Sequence, residues 1–322
     1  MKEKNTLVTG SAGFIGFHIC KRLLKSRPLI KIKKKVIGID NFNNYYHPAI
    51  KEQNIMSFQD HDKFSLYRVD IIEFDKLRDI FASEKIDKVI HLAARAGVRA
   101  SIEQPLLYNQ VNSQGMANLL ELSKEHNIQN FVFASSSSVY GEREDVPFHE
   151  DDEIKPISPY AASKKAGELL GYTYNHLYKI PFTALRFFTV YGPKGRPDMA
   201  PYKFMKAIIN DKTISVYGRG DHVRDFTYVG DIVDGIISAA DKNLPYEVIN
   251  LGNANPTVLM DFIQTWSNVI GKRVQIEYLE ERLGDVSKTY ADTSKAKELL
   301  GWQAQTDLAE GLRQMYEYFK DL

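Results

Sequence analysis

A chain of 322 residues suits one large or two intimate domains, and 42 basic against 41 acidic side chains leave a net charge of +1, so no field that would gather nucleic acid is expected. Hydrophobic residues make up 43%, ordinary for a globular protein, and no apolar run approaches the roughly 20 residues that a membrane helix needs. Cys20 is the only cysteine and the eight histidines are scattered, which excludes an internal disulfide framework and predicts neither structural nor catalytic metal. The N-terminus leads directly into a strand, so no signal peptide is expected and the reading is cytoplasmic.

In chain order, strands are predicted at 4–9, 35–39, 64–69, 87–92, 130–135 and 182–187, with helices at 14–26, 73–84, 105–126 and 159–178. Near-continuous apolar runs such as Asn130-Phe-Val-Phe-Ala134 read as central strands of a parallel sheet covered on both faces. The fold class is α/β, a Rossmann-type doubly wound parallel sheet. After about residue 188 the chain becomes loop-rich, and a helix near 229–241 with a strand near 247–251 returns to the sheet. The expected division is 1–188 plus about 225–252 for a dinucleotide-binding domain. A smaller, partly discontinuous C-terminal substrate domain takes 189–224 and 253–322.

Gly10-Ser-Ala-Gly13-Phe-Ile-Gly16 lies between the first strand and the first helix. Gly10 permits the tight turn, Gly13 lets the backbone approach a pyrophosphate, and Gly16 lets helix and strand pack closely. The helix N-terminus adds free N–H groups and a partial positive charge. The second strand ends in Asp40, an acid placed to accept from ribose hydroxyls and repel a 2′-phosphate, so the cofactor expected is NAD rather than NADP. The stretch Arg27 to Lys35 before that strand reads as a basic surface loop.

Tyr160 and Lys164 stand four residues apart and so share a helix face, where an ammonium lowers the pKa of a phenol. Tyr202-Lys206 and Tyr316-Lys320 have the same spacing. What separates the pairs is context. Ligands of open parallel sheets bind beyond the carboxyl ends of strands. Tyr160 opens a helix with Ser158 as N-cap and Pro159 as first residue, just after the strand that ends in Ser135-Ser-Ser-Ser138. The later pairs read as aromatic stripes of amphipathic helices.

Thr9-Gly-Ser-Ala-Gly-Phe-Ile-Gly16, the serine run, Tyr160-x-x-x-Lys164 and Val223-Arg-Asp-Phe-Thr-Tyr-Val229 resemble, over essentially the whole chain, the extended short-chain dehydrogenase/reductases that act on nucleotide sugars. The subgroup most resembled is the UDP-glucuronate 4-epimerases, through Ala93-Ala-Arg-Ala-Gly-Val-Arg99, Ala134 to Gly141 and Arg186 to Met199; Arg95 departs from it, since glutamine is expected there. The resemblance implies transient oxidation at C4. Tyr160 takes the hydroxyl proton while hydride passes to the nicotinamide, Lys164 holds the nicotinamide ribose, and Ser136 bonds the 4-oxygen. The cofactor contacts expected on this reading are Gly10, Gly13, Phe14, Ile15, Gly16, Asp40, Asn41, Asp70, Ile71, Leu92, Ala93, Ala94, Tyr160 and Lys164. For a UDP-sugar substrate the resemblance implies Arg224 at the pyrophosphate and Asp285 at the ribose, with Arg196, Ser137, Thr189 and Arg99 proposed for a uronate carboxylate.

Four alternatives stand against this reading. A decarboxylase of the family carries a glutamate, and a 4,6-dehydratase an Asp-Glu pair, where Ser137 and Ser138 stand here. Epimerases of neutral hexoses often show asparagine near Thr189. A non-catalytic NAD sensor on the same fold would have lost the tyrosine, lysine or serine. Leu106, Leu107, Leu119 and Leu120 exceed what one sheet face needs, and a homodimer through the helices at 105–126 and 159–178 is expected.

Overall fold

Strand β1 (Asn5–Thr9) is enclosed along nearly its whole length, as both faces of a parallel sheet should be once helices cover them. The same holds for β2 (Val36–Ile39) and β5 (Asn130–Ser136), every residue of which is buried. With β3 (Phe64–Tyr67), β4 (Ile86–His91), β6 (Phe182–Phe187) and the strand Tyr246–Leu251 they form one seven-stranded sheet. The structure is a computed structural model describing residues 5–25, 35–280 and 286–320. The expected basic loop falls largely, and Asp285 wholly, outside the described residues.

The sheet order is Tyr246–Leu251, β6, β5, β4, β1, β2, β3. Because β1 pairs in parallel with β2 on one side and β4 on the other, chain progression reverses there. That is the switch point at which open α/β sheets hold their ligands, and the glycine turn follows β1 directly.

Two compact units are present: 1–139 with 156–186 and 236–249, and 140–155 with 187–235 and 250–322. These bounds differ from those expected, mainly in assigning 140–155 and 225–235 to the second unit. The reason lies in its hydrogen bonds. Phe148 N donates to Tyr290 O at 2.8 Å, Asp292 N donates to Phe148 O at 3.0 Å, and the Tyr140 hydroxyl donates to Asn250 Oδ1 at 2.7 Å. Asp225, fully buried, accepts from Asn253 N, Ala254 N and Ala291 N. The second unit has a three-stranded sheet (Thr189–Tyr191, Val223–Tyr228, Pro256–Val258) and a two-stranded one (Ile214–Tyr217, Ile276–Leu279). Its core includes Phe226 stacked on Phe262 at 3.9 Å.

The helix expected at 105–126 is not uniform. It runs as Pro105–Tyr108, a π-helical turn at Asn109–Gln114, then Gly115–Glu125. Gly115 lies against Ile71, whose Cδ1 would be 2.5 Å from an added Cβ. Leu119 and Leu120 are fully buried in the first unit's core, so they are not spare apolar surface; Leu106, at 84% exposure, is.

Candidate active site

The glycine turn is built as its spacing predicts. Gly10 takes φ +70°, and its N–H donates to Ile39 O at 2.7 Å. An added Cβ there would lie 2.9 Å from Ala93 N, which brings the end of β4 beside the turn. At Gly16 a Cβ would fall 2.0 Å from Gly10 O, whereas at Gly13 the only neighbour within 4 Å is Gly10 O at 3.2 Å. Gly16 is therefore required by the fold, and Gly13 leaves open backbone where a pyrophosphate would lie. Phe14, in the first turn of helix α1 (Phe14–Lys25), is buried; Ile15 is half-buried.

Asp40, at the end of β2, is buried and accepts from Ala12 N at 3.2 Å and Phe42 N at 2.8 Å. Burial pushes its carboxyl up, against the pull of Lys51, whose ammonium lies 3.9 Å away. Lys51, absent from the sequence reading, sits in the unforeseen helix Pro48–Ile55. Asn41 donates to Asp70 at 2.6 Å, joining two more expected contacts. Ile71 is core, while Leu92, Ala93 and Ala94 are half-buried. Thr9 Oγ1 accepts from Leu92 N and Ala93 N and lies 2.8 Å from His91 Nδ1. Burial, helped by the charge of Lys164, pushes His91 down to about 3, so the ring is neutral.

The helix Pro159–Tyr178 begins as its capping residues dictate: Ser158 Oγ accepts from Ala161 N at 3.1 Å, and Pro159 takes the first position. Tyr160 is half-buried, edge-on to Tyr108 with ring centroids 6.3 Å apart. Lys164 is 4% exposed, with Nζ 2.7 Å from Ala134 O and 6.0 Å from the Tyr160 ring. Burial pushes Lys164 down to about 7. Among the described residues Ala134 O is its one hydrogen-bond acceptor, so two donors of a buried ammonium remain for a ribose. Open backbone at Gly13, the carboxylate of Asp40 and this ammonium together fit a dinucleotide. Ser136 is buried, and its Oγ lies 3.2 Å from both Ser138 Oγ and Ser138 N. Ser137 opens the short helix Ser137–Tyr140 and is half-buried.

Two positioning groups escaped the sequence reading. Glu168, one turn past Lys164, is fully buried and takes Arg186 Nε and Nη2 in a fork at 2.9 Å each. It also accepts from Ser135 Oγ at 2.6 Å and Lys165 Nζ at 3.1 Å. Burial alone would raise its carboxyl; the bonds from Arg186 outweigh it and hold it below the usual range. The i, i+4 stripe Tyr160, Lys164, Glu168 was the available signal. Asn112, in the π-turn, clasps the Arg95 backbone at both N and O and donates to Ser163 Oγ. Such turns cluster at functional sites.

Of the expected substrate residues, Arg99 is exposed in the short helix Val98–Glu103, in the first unit. Thr189, Arg196 and Arg224 belong to the second. Thr189 begins a strand, in register with Phe226. The Arg196 guanidinium is forked onto Asp198 through Nε and Nη2. Arg224 donates to the carbonyls of Val286 and Ser287, beside the segment that contains Asp285. Tyr202 and Tyr316 pack against the second unit's core, Tyr202 edge-on to Phe319 at 4.9 Å, as aromatic stripes do.

Comparison with known proteins agrees with this geometry. The family model described as GDP-mannose 4,6 dehydratase matches residues 7–315. A UDP-glucuronate 4-epimerase of Thermodesulfobacterium geofontis is 45% identical over 317 residues, 98% of this chain and 96% of that protein. The crystal structure of the Bacillus cereus UDP-glucuronic acid 4-epimerase, in complex with UDP-glucuronic acid and NAD, superposes with a TM-score of 0.92 at 38% identity, covering 98% and 99% of the two chains. The UDP-glucose 4-epimerase of Thermotoga maritima with UDP-glucose gives 0.90 at 31% identity, again over 98% and 99%. With the glycine turn at the switch point of a parallel sheet, the chain belongs to the GDP-mannose 4,6 dehydratase family, among the extended short-chain dehydrogenase/reductases that include the nucleotide-sugar epimerases.

Proposed function

We propose that this chain is an NAD-dependent UDP-glucuronate 4-epimerase that interconverts UDP-glucuronate and UDP-galacturonate. The observation that carries the proposal is the end-to-end similarity to UDP-glucuronate 4-epimerases in a chain that keeps Tyr160 and the buried Lys164 one turn apart. The 4-position C–H bond is not acidic, so inversion there needs a route other than deprotonation. NAD, when bound, supplies a hydride acceptor that can later return the hydride to either face of the ring.

The residues handle protons, orientation and charge. Tyr160 takes the proton of the 4-hydroxyl on oxidation and gives it back on reduction. Lys164, held by Ala134 O, holds the nicotinamide ribose and favours the phenolate. Ser136 steadies the 4-oxygen, and its link to Ser138 fixes the hydroxyl. Arg224 serves the diphosphate. Arg196, Thr189 and Ser137 serve the carboxylate; Arg196 already grips a carboxylate, that of Asp198, in the bidentate manner a uronate would use.

Two finer features belong to the same proposal. A homodimer forms through the helical segments 105–126 and 159–178, whose Leu106, Leu169 and Tyr172 are each more than half exposed. The protein is cytoplasmic, in keeping with its lone cysteine; no described helix is long and apolar enough to cross a membrane.

Incubating the purified protein with UDP-glucuronate, without added NAD, and separating the products tests the activity. UDP-galacturonate is expected. UDP-xylose would instead identify a decarboxylase, and no turnover even with NAD added would sink the uronate assignment.

A further inference from the structure

Arg95 is where this chain leaves the pattern it otherwise follows, and its surroundings give the departure a meaning. Its backbone is locked: Arg95 N donates to Asn112 Oδ1 at 2.8 Å, and Arg95 O accepts from Asn112 Nδ2 at 3.0 Å. Its guanidinium lies 5.4 Å from the ring of Tyr45, with Nη2 3.3 Å from Gln104 Oε1. No carboxylate among the described residues pairs with it. Its Nε is shielded from solvent and has no hydrogen-bond partner among the described residues, which disfavours the side chain's placement there.

The direction of this side chain follows from the sheet. Arg95 comes after β4 and Tyr45 after β2, while β1, carrying the glycine turn at its carboxyl end, lies between those strands. A side chain reaching from one flanking loop to the other crosses the end of β1. Two further contacts hold the flanking segments to the turn. Ala93, two residues before Arg95, abuts Gly10. The helix that follows Tyr45 is tied to the turn by Asn54 Nδ2 donating to Ala12 O at 2.9 Å. Lys51, on which the charge of Arg95 acts, is engaged by Asp40 and Asn43.

The geometry points to Arg95 as a cofactor-binding residue: with Tyr45 it forms a clasp over the glycine turn that holds the cofactor's diphosphate. The turn alone offers backbone N–H groups and a helix end to the two phosphates. Arg95 adds the terminal nitrogens of its guanidinium, donors with a permanent charge, to those of the turn. Such a clasp suits a cofactor that is regenerated in place and has no reason to leave between turnovers. The inference rests on the NAD-dependent reading above.

Calorimetric titration of the full chain, freed of nucleotide, with NAD, ADP-ribose and adenosine tests it. Arg95→Gln should raise the Kd of NAD and of ADP-ribose at least tenfold and leave adenosine within twofold. Arg95→Lys, keeping charge without the fork, should fall between. The salt dependence of NAD binding should flatten in Arg95→Gln. NAD affinity within twofold of wild type in Arg95→Gln, or equal losses for adenosine and ADP-ribose, would overturn the proposal. So would a raised KM for UDP-glucuronate with NAD affinity intact, which would assign Arg95 to the sugar nucleotide. Because the titrations contain no sugar nucleotide, they stand whichever sugar is turned over. A protein that binds NAD through Arg95 yet fails on UDP-glucuronate would sink the uronate assignment alone.

Discussion

The ammonium of Lys164 is bound to the carbonyl oxygen of Ala134, 2.7 Å away, so the helix that carries Tyr160 is pinned to the end of β5 two residues before Ser136. The bond aims Lys164 but does not repay its burial, and the residue titrates near 7.

That cost makes stability depend on pH. An unfolded lysine titrates near 10.5, the buried one near 7. Between these values the unfolded chain binds a proton that the folded chain lacks, so stability rises with pH across this window and the penalty is full below it. Lys164→Met, free of nucleotide, should melt at a higher temperature than wild type at pH 6. The gap should close toward pH 10, while turnover falls at least 100-fold. A lower melting temperature for the variant at pH 6 would contradict this account.

Tyr160→Phe removes the proton carrier and leaves the ring against Tyr108. Turnover of UDP-glucuronate should fall by about 10² to 10⁴, with the NAD Kd within a few-fold of wild type. A sensor protein would bind and respond to NAD as before and show no turnover in either form.

Gly13→Ala and Gly16→Ala should separate cofactor binding from folding. At Gly16 the added methyl meets backbone at 2.0 Å, so loss of expression or a sharply lowered melting temperature is expected. At Gly13 it meets only Gly10 O at 3.2 Å. That variant should fold with stability within about 1 kcal/mol of wild type and bind NAD at least tenfold more weakly. Equal damage at both positions, read by thermal melting and NAD titration, would refute the division of roles.

Arg186→Met strands Glu168 in the core without its forked partner, and denaturant titration should show a loss of about 3–5 kcal/mol. Adding Glu168→Leu should restore part of it, because the buried charge is then gone.

Arg196→Ala tests the uronate side. The KM for UDP-glucuronate should rise tenfold or more, while any residual turnover of UDP-glucose, measured in the same preparation, should change little. A parallel loss for both substrates would place Arg196 in general support of the fold.

The strands and the glycine turn were legible because sheet burial writes itself as apolar runs and close backbone approach demands glycine at fixed offsets. Ser158 and Pro159 announced their helix by capping chemistry alone. The π-turn at Asn109–Gln114 was not legible. It depends on Ile71 packing at Gly115 and on Asn112 reaching the Arg95 backbone, contacts between residues far apart in sequence. Leu119 and Leu120 misled for a related reason: their helix packs within the sheet-covering layer on more sides than a one-face count allows. The burial of Glu168 was not legible either, since it depends on the end of β6 bringing Arg186 to it.

The first unit is assembled from three stretches of chain, and its last strand, from Tyr246, arrives long after the tyrosine and lysine have been laid down. On the ribosome, therefore, Ser136, Tyr160 and Lys164 are translated early but their sheet cannot be completed until most of the chain has emerged. A fragment ending at 186 holds Ser136, Tyr160 and Lys164 yet leaves the edge of β6 bare where Phe182 N should donate to Pro245 O. Such an edge is a template for aggregation. Truncation is thus a poor route to a minimal enzyme, and circular permutation that keeps 236–249 with the first unit is the better one.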